Sequence, residues 1–369
     1  MQALPPASRR YWMHCASLGE FEQGRPVLEA LKGKYPDCQI ILSFFSPSGY
    51  TIRKNYEGAD LVCYLPMDGP GNASRFLDLV QPTQVLFVKY EFWYFYLHEI
   101  AKRRISVILV SGSFRAGQAF FKPWGGFFRN LLSFFSILTV QDQESQKLLE
   151  TEGINSILTG DTRYDRVLQI AENTCQLPLI EVFKGVEKLV IAGSTYGEDE
   201  QILHSCMDLF QKDWKLILVP HEIGQAHLEQ ISSLFGSAAC FYSKYEPGST
   251  ARVLIIDNMG MLSDIYRYGA IATIGGGFSK SGIHNILEPA VFGLPVIFGP
   301  YYQKFSEAVL MVKAAYAFPV NDAPAYKMQL QFLMENDQKR LELGQQIRSF
   351  VQNNAGATSK ILKLVDDAA

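Results

Sequence analysis

Short runs rich in Val, Ile, Leu and Phe recur along the chain, each followed by a longer, more polar stretch with helical spacing, and this alternation constrains the fold more than any other feature. Continuous apolar runs of that length are strands buried on both faces, and the stretches between them are crossover helices joining parallel neighbours. The alternation occurs twice. In the first half the runs are YWMHCA, QIILSFF, LVCYLP, QVLFVK, SVILVS and SILTVQ; in the second they are KLVIAGS, KLILVP, VLIID, IATIGG and PVIFGP. From Asp165 to Glu181 there is no strand signal, and ENTCQLPLIE has the polar residues and proline of a linker. The spacing predicts an α/β chain of two doubly wound domains, residues 1–168 and 169–369, facing a cleft. Ligands of such sheets bind beyond the carboxyl ends of the strands. The segment from Tyr326 onward reads as mostly helical, and its last part is placed to pack back on the first domain.

Length and composition agree with two cores. A chain of 369 residues exceeds what one hydrophobic core usually holds, and 48% hydrophobic with 19% charged residues is ordinary globular composition. A formal charge of −3 gives no pull toward nucleic acid. The six cysteines are scattered and never spaced as C-x-x-C, so neither a zinc site nor a disulfide framework is indicated. The opening MQALPPASRRYWMHC lacks the apolar segment of a signal peptide, and no run approaches the roughly 18 uncharged apolar residues of a spanning helix.

The residues with chemistry follow strands. In HCASLGEF a small turn is followed at once by Glu20. In VKYEFW, Glu91 stands between a strand and an aromatic-rich helix. By themselves such acids are also helix N-terminal residues that stabilise a dipole. The segment TIGGGFSKSGIHNILEP runs a strand into Gly275, Gly276 and Gly277, then a polar loop with Lys280, then a helix expected to open near His284. Glycines let backbone amides approach an anion, a helix N-terminus favours it, and Lys280 adds a full charge. Asn285 adjoins, and Glu288 is able to accept two hydrogen bonds from a vicinal diol such as ribose. IAGSTYGEDE is a second glycine turn, with Ser194 or Thr195 expected as helix cap and Ser194 as a phosphate contact. VPHE ends another strand and puts His221 at the cleft or in a solvated turn. Arg163, in TGDTRYD, is suited to read a carboxylate or phosphate. The aromatic and basic segment Ser113–Phe135, broken by Pro123, Gly125 and Gly126, is either core or a surface lying against anionic lipid.

Taken jointly, HCASLGE, YLPMD, VKYEFW, TGDTRYD, IAGSTYGEDE and GGGFSKSGIHNILEPAVFGLPVIFGP, in that order and spacing, make the chain resemble bacterial 3-deoxy-D-manno-octulosonic acid (Kdo) transferases from His14 almost to its end. The resemblance implies a GT-B fold and an inverting, metal-independent glycosyltransferase without cofactor, taking CMP-Kdo to a lipid A precursor at the cytoplasmic face of the inner membrane. It implies Glu20 as catalytic base, Glu91 as a further acid of the site, and Glu288 as ribose ligand, with His284 and Asn285 in the same motif and the glycines beside CMP. Three positions depart from the family pattern: Ser281 stands where an arginine is common, Met261 where a glutamate is, and VPHE replaces Pro-Arg-His. The hydrophobic anchor that usually opens such chains is also missing from this sequence. Two other expectations fit the same residues: a GT-B relative acting on another sugar nucleotide, such as a UDP-sugar epimerase, and a nucleotide- or lipid-binding homologue without catalysis.

Overall fold

A computed structural model describes residues 7–368. The six residues that begin the chain, read above for a leader or anchor, lie outside the described residues. The chain divides into two compact units, one reaching to Arg166 and resuming at Asn354, the other comprising Val167–Asn353.

The first unit carries seven parallel strands: β1 (Arg10–Cys15), β2 (Gln39–Phe44), β3 (Leu61–Tyr64), β4 (Gln84–Val88), β5 (Ser106–Gly112), β6 (Ile137–Val140) and β7 (Ile157–Leu158). Their order is β3-β2-β1-β4-β5-β6-β7, so the direction of winding reverses between β1 and β4. Alternate residues of β1 serve opposite faces. Trp12 joins Phe76, Phe87 and Tyr96 on one side, while Tyr11, Met13 and Cys15 join Phe21, Val27 and Leu28 on the other. Helix Leu18–Lys34 lies close against the sheet because Gly24 has no side chain: a β-carbon there would come within 2.8 Å of Met13 Sδ. That close seat fixes where the first turn of the helix, with Glu20, stands.

The second unit repeats the plan with β8 (Lys188–Thr195), β9 (Trp214–Pro220), β10 (Ala239–Phe241), β11 (Val253–Ile255), β12 (Ile271–Ile274), β13 (Val296–Phe298) and β14 (Ala317–Pro319). The order is β10-β11-β9-β8-β12-β13-β14, and here the reversal falls between β8 and β12.

The eleven expected strands all form, while β7, β10 and β14 escape a reading by apolar runs because each is a short edge strand that is only partly buried. The expected linker is largely helix. Thr162–Glu172 and Pro178–Lys184 are helical, with only the short polar stretch between them left irregular, because Pro178 starts the second helix rather than breaking one. The last helix, Ala357–Asp367, belongs to the first unit, where Ile361 and Val365 enter its core. Asp165 caps this helix, accepting from the Gly356 amide at 2.6 Å and from the Thr358 amide and hydroxyl at 2.8 Å each. Asp165→Ala should therefore cost about 1–2 kcal/mol, read as faster hydrogen exchange across Ala357–Asp367 with the sheet amides unaffected.

Candidate functional site

In the first unit Glu20 and Glu91 follow β1 and β4, the two strands that flank the reversal. Crossovers leave in opposite directions there, which opens a crevice at the carboxyl ends. Glu20 sits three residues past Ser17, the helix cap, and its carboxylate accepts from the Ser17 amide at 3.0 Å. It is half-buried, and burial together with the nearby charge of Glu91 pushes it up to about 7, against the amides of Ser17 and Ala16 and the charge of Lys89. The same groups act on Cys15, whose thiol is held far up by burial and by Glu20, Glu91 and Glu22. A carboxyl poised near neutrality is suited to accept and release a proton.

Glu91 is buried and does not cap the helix that follows it. Its Oε2 lies 3.0 Å from His14 Nε2 and also accepts from the Trp93 indole. The cap of helix Tyr94–Lys102 is Asp68, from the YLPMD motif, which accepts from the Phe95 amide at 3.1 Å and the Tyr96 amide at 3.3 Å. Asp68 could have been found from sequence only by knowing which loop faces that helix. Lys89, between β4 and Glu91, has φ +66°, a left-handed conformation that costs a non-glycine residue about 1–3 kcal/mol and clusters at functional loops.

Arg163 does read a carboxylate, but that of its own chain. Its Nε lies 2.9 Å and its terminal nitrogen 2.6 Å from Asp161 Oδ2. Burial would raise the Asp161 carboxyl, yet Arg163 holds it below the usual range, and Gln23 donates to it at 3.1 Å. The pair ties the start of helix Thr162–Glu172 to the first helix, so the anion site expected at Arg163 is already filled by the protein.

In the second unit the strands flanking the reversal, β8 and β12, end in the two glycine turns. Gly275 is obligatory: a β-carbon would stand 2.1 Å from the Ser194 carbonyl. Ser194 itself has φ +55°. The helix Gly197–His204 is capped not by Ser194 or Thr195 but from Tyr196, whose amide donates to Asp199 Oδ2 at 2.9 Å. The same oxygen accepts from the Gly276 amide at 3.0 Å, pinning one glycine turn to the other. Thr195 instead donates to Glu200 at 3.0 Å. Asp199 is buried, which lifts its carboxyl to about 6.

The helix expected near His284 begins at Leu287 and spans only Leu287–Val291, since Gly282 is left-handed at φ +91° and the Asn285 side chain accepts from the Leu287 amide at 3.0 Å, making a turn of its own. His284 consequently lies in the loop. Its ring is stacked 5.7 Å from Tyr196 and 4.4 Å from His221, and its Nε2 is 3.0 Å from the Tyr196 hydroxyl. His221 thus joins the site rather than an isolated turn. Asn285 donates to Glu288 Oε1 at 3.0 Å, which aims that carboxylate. Lys280 and Ser281 are exposed on the loop between Gly277 and His284. Among the described residues no cluster of three or more His, Cys, Asp or Glu is arranged to hold a metal ion.

Residues 1–166 match the family described as 3-deoxy-D-manno-octulosonic-acid transferase (kdotransferase). The 3-deoxy-D-manno-octulosonic acid transferase of Aquifex aeolicus is 30% identical over 313 residues, 83% of this chain and 80% of that protein. The chain belongs to this family. A second member, from Haemophilus influenzae, is 28% identical over 378 residues, 98% of this chain and 87% of its own length. The chain is therefore a glycosyltransferase, and its two sheets have the GT-B plan. In fold it is similar to the UDP-GlcNAc 2-epimerase of Neisseria meningitidis, with a TM-score of 0.67 at 14% identity over 98% of this chain and 99% of that one. At that identity the likeness speaks for fold alone, so the epimerase alternative gains nothing from it beyond the shared architecture.

Burial and the charge of His221 lower the His284 imidazole to about 4, so the folded protein holds this ring neutral. The sign follows: the unfolded chain protonates it near 6.5, so its share of stability is intact above that pH and is lost as pH falls toward 4. The ring C–H resonance of His284 should stay in its neutral position at pH 5.5, where an ordinary histidine is mostly protonated. A midpoint near 6.5 by NMR titration would show the stack to be open to water.

Proposed function

We propose that this chain transfers Kdo from CMP-Kdo to a lipid A precursor, lipid IVA, with inversion and without a metal, and that Glu20 is the general base. The observation that carries this reading is the Glu20 carboxyl, held near neutrality at the carboxyl end of β1 beside Glu91. The acceptor hydroxyl oxygen forms a bond to the anomeric carbon as the bond from that carbon to the CMP phosphate oxygen breaks. The proton goes to Glu20, and the electron pair leaves with CMP. A positioned carboxylate contributes about 10² to 10⁴-fold to such a step.

The second unit receives the donor. The turns at Ser194 and Gly275–Gly277 offer backbone amides to the phosphate, Lys280 adds charge, and Glu288, aimed by Asn285, accepts from the ribose hydroxyls. The rings of His221, His284 and Tyr196, packed against one another, present an aromatic surface for the base. Ser281 and Met261 leave this set with fewer ionic contacts than the family pattern, which places more of the donor affinity on Glu288 and the glycine amides.

The aromatic segment is partly core and partly exposed. Phe114, Phe120 and Phe135 are buried in the first unit's core, whereas Trp124 and Phe127 are 68% and 56% exposed beside Lys122. Phe127 packs 5.6 Å from Tyr94, three residues after Glu91, so the exposed rings adjoin the proposed acceptor site. Aromatic rings with neighbouring cations suit the headgroup layer of an anionic membrane, which supports a peripheral place on the cytoplasmic face of the inner membrane. Among the described residues no helix is long and apolar enough to cross a membrane.

Glu20→Gln should lower transfer by about 10² to 10⁴-fold while CMP affinity, measured by calorimetry, stays native; normal turnover in that variant would remove Glu20 from the mechanism. Glu288→Ala should weaken CMP by roughly tenfold to a hundredfold. Replacing Trp124 and Phe127 together by Ser should reduce binding to anionic phospholipid vesicles by roughly tenfold or more, with soluble CMP binding unaltered.

A further inference from the structure

His14 is fully buried on the face of β1 that also carries Trp12, in register with Ser43 on β2 and Phe87 on β4. An imidazole there has to have both nitrogens satisfied. They are satisfied by a continuous chain. The Trp12 indole donates to Ser43 Oγ at 2.8 Å, Ser43 Oγ lies 2.9 Å from His14 Nδ1, and His14 Nε2 lies 3.0 Å from Glu91 Oε2, which also accepts from the Trp93 indole. The Trp12 indole only donates and a carboxylate only accepts, so the chain runs in one direction from Trp12 to Glu91. Trp12 occupies one lone pair of the Ser43 oxygen, and the hydroxyl hydrogen can turn toward Nδ1. Nε2 then carries the imidazole hydrogen and donates it to Glu91. The Ser43 carbonyl, 3.1 Å from Nδ1, would favour the opposite tautomer, whereas the Glu91 carboxylate accepts only and so favours the hydrogen on Nε2.

We propose that His14 is a positioning residue for the transfer: Ser43, held by the Trp12 indole, orients its ring so that Nε2 meets Glu91 Oε2, and that contact together with the Trp93 indole holds the Glu91 carboxylate beside Glu20. The inference rests on Glu20 being the base. The groups that act on Glu20 are Glu91 beyond β4, Lys89 at the end of β4, and the Ser17 and Ala16 amides, with Cys15 facing both carboxylates and Glu22 on the same helix facing Cys15. Of these, Glu91 is the charge that strengthens Glu20 as a base, and Lys89 opposes it. With the other tautomer, a nitrogen lone pair would face the Glu91 oxygen. Glu91 would then lose that contact, and its carboxylate would no longer be held beside Glu20.

The test is the pH profile of kcat/KM for the full chain with CMP-Kdo and a tetraacyl disaccharide acceptor. The native profile should rise through an acid limb near pH 7, where Glu20 loses its proton. Ser43→Ala and His14→Phe should move that limb down by about one pH unit and lower the plateau, whereas His14→Gln, whose amide can still donate toward Glu91, should restore the native limb. A histidine that only fills the core would change melting temperature or plateau and leave the limb in place; an unmoved limb in Ser43→Ala overturns the inference. Ser43→Ala removes a single oxygen atom, so it decides the matter even if His14→Phe does not fold. Failure of the underlying reading looks different: the acid limb would then persist, at native turnover, in Glu20→Gln.

Discussion

Parallel strands in this protein are covered on both faces, and that single requirement organises the rest. β1, β4, β8 and β9 are buried almost end to end, so the sheets have little room for polar groups except beyond the strand ends. The strand orders then select which ends matter. Winding reverses between β1 and β4 in one unit and between β8 and β12 in the other, and the chain at or just beyond the carboxyl ends of those four strands carries Glu20, Glu91, Ser194 and Gly275. His14 is one of the few polar groups buried within the strands, with Arg10, Ser43 and Gln84 among the others, and it is held there by partners on β2 and beyond β4.

The two units use one local device for different ends. In each, the first crossover helix has a carboxylate at its third residue that reaches back to the amide of the capping residue: Glu20 to Ser17, and Asp199 to Tyr196. Burial raises both carboxyls. What differs is the neighbour. Glu20 stands beside the charge of Glu91, which makes it a proton acceptor near neutrality, while Asp199 accepts from the Gly276 amide as well and so becomes a pin between two glycine turns. The same cap geometry thus yields a reactive group in one unit and a rigid cradle in the other.

Much of this was legible in the sequence, and the gaps have physical causes. The inner strands stand out because full burial makes them continuous apolar runs; β7, β10 and β14 are short edge strands, only partly buried, and carry no such run. The helix at His284 was misplaced because Asn285 and Gly282 form a turn that competes with it, a choice made by side-chain hydrogen bonding rather than periodicity. Arg163 was expected to face a ligand, and Asp161, two residues away, takes it up instead. Asp68 and Ser43 gave no signal, since each acts on a segment distant in the chain.

The sequence by itself determined the α/β class, the repeat of the pattern in two halves, and the acids and glycines that follow strands, because these depend on local spacing and on which side chains tolerate burial. Only the tertiary structure decided what those residues do. Glu20 differs from an ordinary helix-capping acid because Glu91, brought alongside by the pairing of β1 with β4, supplies a charge in a partly dry site. Glu91 in turn is held by His14 and Trp93, contacts that no local spacing encodes. Proton affinity depends on neighbours through space, and strand order is what chose the neighbours.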